Sequence, residues 1–194
     1  MLFRSPGCAA SAVDDLGQAV EALLARGPGT RFVILGLCSG ASDAHQYARR
    51  DPRIAGAVFI DGYTYQTARF RRLRWRRRLL QPGRLLQRLR QWRTAPVAKP
   101  PGIEVDLFRS PPLAQAAADY QVMLARGMRL AFLFTGDVQY SYLYADQLYD
   151  AFPELRHRVA LHYLPHTDHT LTRRSAREEL IALLKDWLLG FDSV

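Results

Sequence analysis

Apolar residues recur at helical spacing through residues 11–26, at Val13, Leu16, Val20, Leu23 and Leu24, which predicts an amphipathic helix. Asp14 and Asp15 near its start suit the positive end of the helix dipole, and Gly27-Pro28-Gly29 stops it. The period then changes. Residues 31–35 (RFVIL) form a short apolar block with β-branched members, which reads as a buried strand. That block runs into Gly36-Leu37-Cys38-Ser39-Gly40 and a helical stretch reaching Arg50, which Asp51-Pro52 ends. Residues 55–60 (AGAVFI) predict a second strand, closing on Asp61-Gly62. Downstream, residues 112–126 predict a helix and residues 129–134 (RLAFLF) a third strand ending in Thr135-Gly136-Asp137. A helix around residues 144–152, a fourth strand over 159–164, the loop 165–170 and a last helix over 175–189 complete the pattern.

Short apolar strands alternating with helices predict an α/β three-layer sandwich with a mostly parallel sheet. Right-handed crossovers then bring the loops that follow the strands to one edge of that sheet. Residues 1–12 read as loop. Residues 63–111 differ in kind: Arg-rich, interrupted at Pro82-Gly83, they read as two basic amphipathic helices and a Pro-rich linker. The organisation is therefore a core of residues 1–62 and 112–194 with a helical, basic lid inserted at 63–111.

Charge sharpens that division. The chain of 194 residues carries +9, but residues 69–93 hold eleven Arg and no acidic residue, so the remainder carries −2. A nucleic-acid binder spreads its basic residues over several elements; here the charge is one local insert, and no nucleic-acid partner is predicted. The bland reading of the insert is a solvated lid, with Leu79, Leu80, Leu85, Leu86 and Leu89 packed inward beside Trp75 and Trp92. Attachment to an anionic membrane surface through residues 69–93, or recognition of an acidic substrate, are the rivals. No apolar run approaches the roughly 20 residues that span a bilayer, and residues 1–12 lack a signal-peptide core. With only Cys8 and Cys38 there is no disulfide framework, which suggests a cytoplasmic setting, peripheral to the inner membrane face if the insert binds lipid.

Three reactive side chains fall on three post-strand loops: Cys38 after the first strand, Asp137 after the third and His169 after the fourth. Nucleophile, acid, histidine is the chain order of one large class of hydrolases. In such an elbow the chain turns so sharply from strand to helix that residues two before and two after the nucleophile must be small. Gly36 and Gly40 meet this around Cys38, whereas centring on Ser39 would put Leu37 at a small position. A thiol at a helix N-terminus also favours thiolate. The acid position has an alternate in Asp61, after the second strand, and the base an alternate in His166. Asp43 and Asp168 fit simple roles on a helix and in a loop, His162 reads as a packed or surface residue, and His45 and His157 as helix-surface or loop residues. Cys38, His166 and His169 make a weak metal set, so neither metal nor cofactor is predicted.

The stretches ILGLCSGA, TGDVQYSYLYADQLYDAFPEL and YLPHTDHTL resemble a bacterial group of α/β-hydrolases described as serine-aminopeptidase-like, over most of residues 13–189. The resemblance implies an ester, thioester or amide-type acyl substrate. It favours His169 as base through Asp168-His169-Thr170, and gives the Ser39 backbone N–H a place in the oxyanion hole. The chain departs from the family at its front, where several strands and a second oxyanion loop are expected, so the first strand should expose an edge open to self-association. The economical expectation is a start internal to a longer protein. The rival function is a catalytically impaired hydrolase scaffold that serves as a binding module.

Overall fold

The computed structural model describes residues 6–27, 29–79, 110–138 and 141–191, with the side chains of residues 6–11, 78, 79 and 137 outside that description. In chain order the elements are α1 (Pro6–Leu24), β1 (Phe32–Leu37), α2 (Ser39–Ala48), β2 (Ile54–Ile60), α3 (Ala68–Leu79), α4 (Leu113–Ala125), β3 (Arg129–Thr135), α5 (Gln147–Ala151), β4 (Ala160–Leu164) and α6 (Arg174–Leu189). One-turn 3₁₀ segments at Gly136–Val138 and Pro153–Leu155 complete the set. Each of the four predicted strands is present, and they form one parallel sheet in the order β1-β2-β3-β4.

The sheet alternates as a half-buried strand must. On one face, Ala57 and Phe59 of β2 and Leu130, Phe132 and Phe134 of β3 join a cluster with Val13 and Val20 of α1, Ala44 and Tyr47 of α2, and Tyr120 and Met123 of α4. On the other, Val58 and Ile60 of β2 and Ala131 and Leu133 of β3 pack against Leu180 and Trp187 of α6. Helices on both faces of a parallel sheet make the three-layer sandwich.

Two differences from the sequence pattern have physical reasons. Residues 6–12 are helical and not loop, because α1 starts at Pro6, a residue whose fixed φ and missing N–H suit a first turn. The insert contributes α3, while the second predicted basic helix, with Leu80, Leu85, Leu86, Leu89 and Trp92, lies outside the described residues. Within α3 the inward residues are Phe70 and Leu73, packed against Leu143 and Tyr144. Trp75 does not pack inward: it is 63% exposed.

β1 is the edge strand. It pairs with β2 on one side and, among the described residues, with no strand on the other. Phe32 and Ile34 face the larger core cluster. Val33, Leu35 and Leu37 point to the opposite face and remain 40%, 50% and 39% exposed. A groove along this edge is lined by apolar residues that include Leu16, Ile34 and Leu35 and by the acidic residues Asp15 and Asp43.

Candidate active site

Register places the functional loops. Leu37 of β1 pairs with Ile60 of β2, so Cys38 and Asp61 follow their strands at the same level. Both are tied to the next strand: Cys38 N–H donates to Ile60 O (2.9 Å), and Asp61 N–H donates to Leu133 O (2.9 Å). Thr135 of β3 pairs with Leu164 of β4, which starts the loop bearing His169 at that same sheet edge.

Cys38 turns strand into helix with φ 57° and ψ −123°, outside the allowed wells for a side-chain-bearing residue. Strain of this kind costs of order 1–3 kcal/mol and persists where the surroundings over-determine it. Gly36 shows why the turn is so tight. A Cβ there would collide with the carbonyl of Gly40 and lie 2.6 Å from the Ala41 Cα and backbone nitrogen. The space is different at Gly40, where an added Cβ would meet no atom within 4 Å. Ser39 opens α2, and two residues on the Ala41 N–H donates to Cys38 O (3.0 Å).

The carboxylate beside His169 is Asp61. His169 Nδ1 lies 2.7 Å from Asp61 Oδ2. An ionised carboxylate only accepts, so Nδ1 carries the proton in this contact. Asp61 is fully buried and has φ 48°, a left-handed conformation that Asp tolerates. Two further donors fix it: Thr135 N–H to Oδ1 (2.7 Å) and Thr135 Oγ1–H to Oδ2 (2.7 Å). Asp137, the sequence's first choice of acid, is not the residue that this hydrogen bond reaches. Its backbone forms part of the 3₁₀ turn Gly136–Val138, and its side chain lies outside the described residues.

The histidine loop is braced from two sides. Gly136 N–H donates to Thr167 O (2.9 Å), and a Cβ on Gly136 would collide with the Pro165 carbonyl. Asp168 accepts from Thr172 N–H (3.0 Å), the Thr170 hydroxyl (2.8 Å) and the Thr172 hydroxyl (2.9 Å). These donors, the Thr172 amide first, hold its carboxyl down to about 2. His166 on the same loop is exposed and lines a shallow cleft with Gly136, Thr167 and Arg173.

Sequence reasoning missed two features. Thr135 is a buried hydroxyl at the end of an apolar strand, and that polar interruption is the signal that could have marked it. His45 is corrected from surface to core: it is 2% exposed, ringed by Phe59, Tyr63 and Tyr120, with Asp119 Oδ2 3.6 Å from Nε2. Its position on α2, two turns past the elbow, faces the sheet, and periodicity alone does not distinguish a packed histidine from an exposed one.

No group of three or more His, Cys, Asp or Glu among the described residues could hold a metal ion. No described helix is long and apolar enough to cross a membrane.

A parallel sheet with a strained cysteine at one strand end and a histidine–aspartate pair at its neighbours defines a hydrolase-type scaffold. The sequence matches the alpha/beta hydrolase family over residues 2–188, and the chain belongs to that family. Among solved structures it is similar to a candidate dienelactone hydrolase from Klebsiella pneumoniae, with 13% identity and a TM-score of 0.54, covering 92% of this chain and 60% of that one. It is also similar to a structure from a study of carboxylesterases of the thaumarchaeon Nitrososphaera gargenis, with 16% identity and a TM-score of 0.49, covering 94% and 73%. This chain thus spans less than two thirds of the Klebsiella protein's length. No curated protein matches the sequence.

Proposed function

We propose that this chain carries the catalytic residues of an acyl hydrolase whose nucleophile is Cys38, whose base is His169 and whose orienting acid is Asp61. The observation that carries the reading is the hydrogen bond from His169 to the buried Asp61 at the sheet edge where Cys38 holds its strained turn. Such strain at a strand-to-helix turn lifts a side chain out of the sheet toward an incoming carbonyl. Asp61 fixes the imidazole with its proton on Nδ1, which leaves the Nε2 lone pair as the base.

In the proposed reaction, the Cys38 thiol proton passes to His169 Nε2 as sulfur bonds to the acyl carbon of an ester or thioester. The carbonyl π electrons move to oxygen, where the Ser39 N–H stabilises the oxyanion. Collapse of the tetrahedral species breaks the bond to the leaving group, which takes the proton from His169. Water, deprotonated by the same nitrogen, then attacks the acyl-cysteine and restores the thiol. Neither metal nor cofactor is needed for these steps.

The test is chemical. Cys38 should react with iodoacetamide at neutral pH much faster than Cys8, and Cys38→Ala should abolish hydrolysis of a short-chain aryl ester or thioester. A second reading, a hydrolase-fold binding module, is favoured by the exposed apolar face of β1 and by its edge, which pairs with no strand among the described residues. Equal, slow labelling of both thiols together with no ester turnover would select that second reading.

A further inference from the structure

We propose that the outward face of α3 is a docking surface for anionic lipid headgroups. Phe70 and Leu73 anchor the helix to the core. Phe70 is fully buried and Leu73 half-buried, both against Leu143 and Tyr144. Thr67 bonds Tyr144 through its hydroxyl (2.5 Å) and accepts from Phe70 N–H (3.0 Å), which pins the first turn. The Arg69 guanidinium covers the Tyr144 ring at 4.4 Å.

At about 100° per residue, the side opposite Phe70 and Leu73 carries Arg71, Arg72 and Trp75, with Arg76 alongside. All four are exposed. Two shallow clefts flank the indole: Gln66, Arg71 and Arg74 line one, and Arg69, Arg72, Leu73 and Arg76 line the other. The nearest acidic residues in sequence are Asp61 before the helix and Glu104 after it, so no carboxylate interrupts the run. A helix face with guanidiniums on both sides of a 63% exposed tryptophan matches a plane of phosphates over an interface into which indole partitions. A nucleic-acid groove asks instead for basic groups on more than one element along a track, and one helix face does not supply that.

The experiment is co-sedimentation of the full chain with vesicles of phosphatidylcholine alone, and of phosphatidylcholine and phosphatidylglycerol in equal parts. The chain should bind the anionic vesicles, release from them as salt rises, and ignore the neutral ones. Arg71→Ala/Arg72→Ala should weaken binding about 30-fold, from roughly a fivefold loss for each basic residue removed near the surface. Trp75→Ala should weaken it further, and a melting curve for each variant confirms the fold. No binding, equal binding to both vesicle types, unchanged affinity in the double variant, or displacement by duplex DNA at matched phosphate concentration would each overturn the proposal. The readout needs no turnover, so it stands apart from the hydrolase reading.

Discussion

Asp61 and His169 lie 108 residues apart in sequence and 2.7 Å apart in space, and Thr135 fixes the same carboxylate through both its amide and its hydroxyl. The arrangement is a three-strand clamp: β2 supplies the acid, β3 its donors and β4 the imidazole. Asp61→Asn should therefore lower ester turnover by roughly 10³–10⁴, because an amide that donates to Nδ1 selects the wrong tautomer. Asp137→Asn should cost much less. Parallel measurement of kcat for the two variants decides between the acids, and a larger loss at Asp137 would reverse the assignment.

Thr135→Val keeps the shape of the side chain and removes one hydrogen bond to Asp61. The amide donor remains, so the acid should stay near His169 but less firmly oriented. About a tenfold fall in kcat with little change in KM is expected, since the effect falls on the base and not on substrate binding. A pH–rate profile shifted along the histidine limb would identify the effect as one of positioning, whereas a loss of stability alone would not move that limb.

The elbow was legible because its signals are local: an apolar strand, a spaced pair of glycines and a helix onset lie within ten residues. The contact between Asp61 and His169 was not. Asp61 and Asp137 both follow strands and both lie beside a glycine, so no local pattern ranks them. The left-handed φ of Asp61 and its donors from Thr135 exist only once β2 and β3 pair. His45 was misplaced for a similar reason, since its aromatic neighbours come from β2, the loop after it and α4.

The two elbow glycines should respond differently to the same change. Gly36→Ala forces a Cβ into the backbone of Gly40 and Ala41, and overpacking of that kind costs about 3 kcal/mol. For a chain of this length the melting temperature should drop by roughly 6–12 °C. Gly40→Ala places its methyl in open space near the start of α2, where alanine favours helix over glycine, so the melting temperature should hold or rise slightly.

Burial holds the His45 imidazole down to about 4, Asp119 opposing the shift and Arg49 adding to it. Its base form is the folded form. An unfolded histidine takes up its proton near 6.5, so the contribution is complete above that pH and is lost as pH falls from 6.5 toward 4. The full swing amounts to ~3 kcal/mol. His45→Phe keeps a ring among Phe59, Tyr63 and Tyr120 and should flatten the dependence of denaturation midpoint on pH across that window. An unchanged slope would move the acid sensitivity to another group.

Val33, Leu35 and Leu37 expose one apolar row beside the edge of β1 that pairs with no strand among the described residues, and both the row and the edge invite a second chain. Concentration-dependent self-association should follow. Leu35→Lys puts a charge at the centre of the row without entering the larger core, because Leu35 is half exposed and stands outside the cluster that α1 and α2 join. Sedimentation velocity over a concentration series should show the wild-type coefficient rising while the variant stays monomeric. The ester turnover of Leu35→Lys should match that of the wild type at dilution, since its side chain belongs to neither the Cys38 turn nor the Asp61–His169 clamp. A wild-type coefficient that stays constant with concentration would count against β1 as a site of self-association.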